Sequence, residues 1–131
     1  MESNRKGDLA QARVELKALE KGYIASRPAV VARYDLVVDD NDRLWRVQVK
    51  YADAKPSNTQ TAVYASLKYT DRAGKGHSYT SKEVDAFAIY VPKVDEVLWF
   101  TSEQACGKLK LSIKIGGKRQ KNSNWYEDYI W

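Results

Sequence analysis

The segment Arg33–Lys50, RYDLVVDDNDRLWRVQVK, sets the tightest limit on what this chain can fold into. A short Leu36-Val37-Val38 run and a longer β-rich run from Leu44 to Lys50 are separated by residues of turn composition, with Asn41, Asp42 and Arg43 at the turn itself. A turn of two or three residues between such runs specifies an antiparallel hairpin. Side chains alternate along a strand, so Leu44, Arg46, Gln48 and Lys50 share one face of the second run, while Trp45, Val47 and Val49 share the other. The hairpin thus carries Asp35, Gln48 and Lys50 within otherwise core-like sequence, and polar groups in such places need partners or a function.

Around this hairpin the remaining elements are legible from periodicity. From about Lys6 to Lys21, the residues Leu9, Ala12, Leu16 and Leu19, followed by Tyr23, recur at spacings of three and four. This predicts an amphipathic helix with that stripe facing the core and Gly22 as its C-terminal stop. Asp8, Gln11 and Glu15 share another face of the same helix. After a polar loop at residues 53–60, DAKPSNTQ, the stretch TAVYASLKYT alternates Val63, Ala65, Leu67 and Tyr69 with Tyr64, Ser66 and Lys68, and predicts a third strand.

SYTSKEVDAFAIYVP reads as a helical turn capped by Thr80 or Ser81, with Glu83 near its third position, then a strand from Phe87 to Val91 ended by Pro92. EVLWFT is a fifth strand. KLKLSIKIGGKRQKN alternates Leu109, Leu111, Ile113 and Ile115 with Lys108, Lys110, Ser112 and Lys114, then turns through Gly116-Gly117 into Lys118, Arg119 and Lys121. One face of that strand is core and the other strongly basic.

With 131 residues, of which 44% are apolar and 30% charged, one compact domain is expected. The formal net charge of +5 is compatible with a polyanionic partner. Cys106 stands alone, which leaves no internal disulfide or cysteine-based zinc site and favours a reducing, cytoplasmic setting. His77 is the only histidine, and its glycine-rich surroundings, DRAGKGHSY, read as a loop; most His-dependent catalytic schemes are thereby removed. The first twenty residues are too charged for a signal peptide, and no apolar run approaches the roughly 20 residues of a membrane span. A soluble protein without a membrane partner is expected.

A phosphodiester repels nucleophiles through its negative charge, so an enzyme that lacks histidine and cysteine chemistry recruits a divalent metal through oxygen ligands. A nearby lysine then orients water and offsets transition-state charge. Asp35 at the head of one strand, with Gln48 and Lys50 side by side on the partner, meets that demand.

The order helix, Asp35, then Gln48-x-Lys50 resembles the PD-(D/E)-x-K nuclease superfamily, and KGDLAQARVELKALEKGY, RYDLVVDD, LWRVQVKYA and YTSKEVDAFAIYVPKVDEVLWF resemble its group I intron-associated homing endonuclease branch. The resemblance implies a restriction-endonuclease-like α/β fold, with the N-terminal helix packed on a mixed central sheet. It further implies Mg²⁺, replaceable by Mn²⁺, held by Asp35, Gln48 and the Val49 backbone carbonyl, with Lys50 assisting the attacking water. Double-stranded DNA as substrate, 5′-phosphate products and a homo-oligomer, dimer or tetramer, belong to the same expectation. Lys108, Lys110, Lys114, Lys118, Arg119 and Lys121 are the expected DNA contacts, on a ribbon able to enter the major groove.

The chain departs from the superfamily pattern in three places. Tyr34 stands where the motif's proline is usual, and Gln48 where glutamate is common, as the homing branch allows. Gln11 stands four residues after Gly7, where the first helix often supplies a further glutamate, so Asp8 or Glu15 is the alternative supplementary acid. Two other readings follow: a Holliday-junction resolvase using the same chemistry on branched DNA, and a catalytically inactive DNA-binding module.

Overall fold

A computed structural model describes residues 1–55 and 61–131; most of the polar loop expected at 53–60 therefore lies outside the described residues. Helix α1 (Ser3–Glu20) begins the chain. It stops as Gly22 anticipates, with φ +77° at that residue. The Tyr23 N–H bonds the Ala18 carbonyl at 2.9 Å and the Gly22 N–H bonds the Leu19 carbonyl at 3.0 Å, a paired closure that satisfies the orphan carbonyls of the last turn.

The central sheet has five strands, β1 (Ile24–Ser26), β2 (Leu36–Asp39), β3 (Leu44–Tyr51), β7 (Ala86–Val91) and β8 (Glu96–Thr101), in the order β1-β2-β3-β7-β8. All neighbours are antiparallel except β3 and β7, which run parallel, so the sheet is mixed. The hairpin between β2 and β3 turns on its acids: the Asp40 carboxylate accepts the Asp42 and Arg43 N–H groups and the Trp45 indole N–H, and Asp39 accepts that of Asn41. The crossover from β3 to β7 carries β4 (Ala62–Ser66), β5 (Lys68–Thr70) and β6 (Gly76–Ser78). β4 pairs with β9 (Lys110–Lys114) as a two-stranded ribbon, and β5 pairs with β6 as a small hairpin.

Strand β7 is buried at every position because both sheet faces are covered. On one side Leu36, Val38, Val47, Val49 and Ala88 pack under α1; on the other Phe87, Ile89 and Val91 meet Leu67, Tyr79, Leu98, Phe100 and the inward residues of β4 and β9. The edge formed by β8 is closed by Ile130, bridged to Leu98, and by the Trp131 N–H on the Val97 carbonyl at 3.0 Å. Trp131 also stacks on Trp99 at 4.7 Å, which in turn meets Trp45 edge-on at 5.5 Å.

Four sequence expectations differ from the fold, the simplest being that Leu109, expected on the core face of the late strand, precedes β9 and is exposed. The stripe of α1 that faces the sheet is Ala10, Val14 and Ala18, each fully buried, whereas Leu16 and Leu19 are 49% and 70% exposed and Ala12 is also exposed. Small side chains at four-residue spacing let the helix lie close on the sheet; Leu16 and Leu19 flank the contact, while Leu9 and Tyr23 of the expected stripe do pack against this core. TAVYASLKYT is not one strand but two, because pairing with β9 ends after the Leu67 N–H bonds the Leu109 carbonyl at 2.9 Å, and the chain from Lys68 on pairs with β6 instead. His77 lies on β6 rather than in a loop; Asp71 accepts the Ala73 and Lys75 N–H groups, tightens the turn and brings the imidazole within 2.7 Å of its carboxylate.

The helix packing is testable by urea unfolding. Ala18→Leu overfills the close contact and should cost about 1–3 kcal/mol, while Leu19→Gln, which removes the larger apolar group, should change stability by no more than about 0.5 kcal/mol.

Candidate active site at the end of strand β2

Asp35 immediately precedes β2 and donates its own N–H to the Val47 carbonyl at 2.8 Å, although Leu36 is the register partner of Val47. Two residues thus stand against one, the arrangement of a β-bulge, which re-aims a side chain where pairing ends. The Asp35 carboxylate does not simply face Gln48 across the hairpin; it turns along the ladder and accepts the Val49 N–H at 2.8 Å.

Along β3 the even-numbered residues bond toward β7, as the Asp85 N–H on the Arg46 carbonyl (2.8 Å) and the Ala52 N–H on the Tyr90 carbonyl (2.9 Å) show at its two ends. Odd-numbered residues therefore direct N–H and C=O to the β2 side. The Val49 carbonyl emerges there just beyond the end of β2, beside the Asp35 carboxylate.

An open cleft of about 560 Å³ lies at this place, lined by Ser3, Asn4, Gly7, Asp8 and Gln11 of α1 together with Asp35, Gln48 and Val49. The fold thus brings five of the expected residues, Asp8, Gln11, Asp35, Gln48 and Val49, to one wall. Glu15 is engaged elsewhere: Arg27 grips both its oxygens at 2.7 and 3.1 Å and holds its carboxyl below the ordinary range. Gln11 and Asp35 also border a second open recess, whose far side is the Arg27–Ala32 loop with Val30 and Val31 largely exposed.

The charges in this site are strained by burial. Burial pushes the Asp35 carboxyl above its usual range, more than the Val49 N–H and the charge of Lys50 pull it down. Lys50 is half-buried, and burial lowers its ammonium pKa while Asp35 raises it. It lies behind the cleft wall, with its Nζ 5.3 Å from the centre of the Tyr79 ring. Sequence reasoning missed Tyr79, which has no period or motif in common with the hairpin; only the fold places it there.

The residues on the wall offer oxygen donors: Asp35, Gln48 and Val49, with Asp8 nearby. Such a set suits a hard divalent cation that retains several waters, and offers nothing to a soft metal. No group of three or more His, Cys, Asp or Glu residues able to hold a metal occurs among the described residues.

The basic residues lie on the β4–β9 ribbon and after it. Leu111 and Ile113 point inward, while Lys110 and Ser112 are exposed and Lys110 covers the Tyr64 ring at 5.1 Å. Lys114 lines a polar recess of about 350 Å³ with Ser112, Gln120, Asn122 and Asn124. Lys108, Lys118 and Lys121 are exposed, whereas Arg119 is ion-paired with Asp128.

Among solved structures, a bacterial homing endonuclease, I-Ssp6803I, matches with a TM-score of 0.79 and 22% identity, over 99% of this chain and 89% of that one; the shared fold is restriction-endonuclease-like. MepB matches with a TM-score of 0.47 and 14% identity, over 86% of this chain and 85% of that one. No curated protein matches the sequence. A family profile described as PD-(D/E)XK endonuclease matches residues 1–130. The chain belongs to the PD-(D/E)XK endonuclease family.

Proposed function

We propose that this nuclease is a site-specific, metal-dependent DNA endonuclease of the homing type, formed by the chain as one domain, which cuts double-stranded DNA as a homo-oligomer in the cytoplasm. The observation that carries the reading is the placement of Asp35, Gln48 and Val49 on one cleft bordered by α1, with the Asp35 carboxylate held by the Val49 N–H. These three groups would hold Mg²⁺, with Mn²⁺ able to replace it. A bound divalent ion acidifies water and offsets phosphate charge.

The chain's own groups do the rest. The Val49 N–H fixes one Asp35 oxygen and leaves the other directed to the cleft. Gln48 contributes a neutral oxygen, so the wall carries one negative charge fewer than with glutamate, which lowers repulsion toward a phosphate. Lys50 supplies positive charge where the pentavalent phosphate gathers negative charge. Lys108, Lys110, Lys114, Lys118 and Lys121 neutralise backbone phosphates, and Arg119 does so less freely because Asp128 already holds it. One cleft of this size cuts one strand, so a duplex break needs two copies.

A second reading, an inactive DNA-binding module, draws support from the glutamines at positions 11 and 48 and from the lack of a three-acid cluster among the described residues. Incubating the protein with linear duplex and four-way junction DNA, with Mg²⁺ or Mn²⁺ and then with chelator, separates the readings. Cleavage of linear duplex at a preferred sequence supports the homing reading, junction cleavage points to a resolvase, and binding without any cleavage leaves the module.

Asp35→Asn keeps an acceptor for the Val49 N–H but removes the charge. Cleavage should fall by orders of magnitude while metal-free DNA affinity holds or rises. The folded-state pKa of Asp35 lies above its unfolded value, so ionised Asp35 costs stability at neutral pH and the cost disappears as pH falls below the ordinary carboxylate range. In chelator, Asp35→Asn should therefore be more stable than the parent at pH 7, with the gap closing on acidification; a melting series over pH checks this.

Gln48→Glu should leave divalent-ion binding intact or tighter, and Gln48→Leu should weaken it, as titration calorimetry with Mn²⁺ would read. Normal cleavage by Gln48→Leu would remove Gln48 from the ligand set.

DNA affinity should fall steeply with salt, with a log–log slope of about −0.9 per phosphate contacted. Replacing Lys110, Lys114, Lys118 and Lys121 together by alanine should flatten that slope in a filter-binding or fluorescence titration. An unchanged slope would take the ribbon out of the DNA interface.

A further inference from the structure

Lys50 makes no ion pair or hydrogen bond among the described residues; the group that its ammonium approaches is the Tyr79 ring, at 5.3 Å. Tyr79 is only 5% exposed, and its ring is braced edge-on by Tyr69 at 5.2 Å and Phe87 at 5.6 Å. Tyr69 is itself held between the His77 imidazole, stacked at 5.3 Å, and the Arg33 guanidinium, 3.8 Å from its centre. The ring beside Lys50 is thus part of a fixed aromatic assembly.

We infer that Tyr79 is a positioning residue for Lys50, its ring face holding the ammonium in place behind the cleft while leaving all three N–H donors for the substrate phosphate and its water. A carboxylate in the same place would fix the lysine too, but it would take up N–H donors and cancel the charge that the reaction needs. A ring attracts the cation through its quadrupole and does neither, and the attraction strengthens where water is excluded. The phenol, pushed up to about 12 by burial and by the charge of Asp35, stays neutral and adds no competing anion. A tyrosine that served only to fill the core would act equally well as leucine or methionine; one that holds Lys50 would not.

The inference rests on the nuclease reading, and two measurements keep the failures apart. In single-turnover cleavage at saturating protein, Tyr79→Phe, which keeps the ring, should stay within about threefold of the parent. Tyr79→Leu and Tyr79→Met should slow the cleavage step by about 10- to 30-fold with the half-saturating protein concentration unchanged. Phe100→Leu, a core substitution in the same apolar layer, should lower the melting temperature yet keep the rate. Independently of cleavage, the Lys50 ε-methylene NMR signal, assigned by its loss in Lys50→Arg, should be shifted upfield by the ring in the parent and in Tyr79→Phe.

Folded aliphatic variants that cut at the parent rate, or Tyr79→Phe as slow as they are, would overturn the inference. So would an unshifted Lys50 signal in the parent. A parent that cuts no DNA would defeat the nuclease reading alone, and the NMR signal would then decide whether Tyr79 holds Lys50.

Discussion

A strand in the middle of a sheet must pair every backbone N–H and C=O, and β3 meets that demand on one side with β7 from Val47 to Tyr51 and on the other with β2 from Leu44 to Val47. Where β2 ends, the Val49 N–H still requires an acceptor, and the Asp35 carboxylate provides it. The candidate site grows out of this unfinished ladder. The same interruption that leaves Val49 without a partner in β2 brings the Asp35 carboxylate against its main chain. The bulge at Asp35, where the chain enters β2, turns its carboxylate toward Val49.

The site sits at the border of the core, and the direction of each charge shift follows from that. Burial disfavours ionised Asp35 and protonated Lys50 alike, and each partly relieves the other at a distance longer than a direct ion pair. Such an arrangement costs stability and keeps both charges available. By contrast, Arg46 and Asp85 neutralise each other through several hydrogen bonds at the start of β7, where they tie β3 to β7, and Glu15 does the same with Arg27 at the surface. Charges that are fully matched hold the fold together; those that are incompletely matched line the cleft. The ledge of aromatic rings under Lys50 fits this division, because it restrains the lysine without discharging it.

Local pattern carried much of the architecture. The hairpin at Asp40–Arg43 is written in its acids, which cap their own turn, and Gly22 ends α1 because its left-handed backbone costs glycine little. Pro92 follows the last residue of β7. The failures share a physical cause. The helix period located α1 but chose the leucines for its core face, since side-chain size says nothing about how closely a helix approaches a sheet. Alternation continued through Leu67, yet the strand breaks there because its neighbours change from β9 to β6. Sequence spacing also placed Glu15 and Asp8 as equal candidates; Arg27, twelve residues on, claims one of them.

What the sequence determined by itself was chemistry and local geometry: oxygen donors without usable histidine or cysteine, Gln48 and Lys50 on one strand face, Asp35 at the head of its partner, and a strand with a basic outer face. Those follow from residue type and from the two-residue period of a strand, which need no distant contact. Tertiary structure alone decided which residues complete the cleft and which stand behind it. Gln11 and Asp8 share a cleft with Asp35 only because α1 packs across the sheet, and Tyr79 comes near Lys50 only because the β3 to β7 crossover folds back over the sheet. Those contacts join residues far apart in the chain, and their existence depends on packing distances that no local pattern encodes.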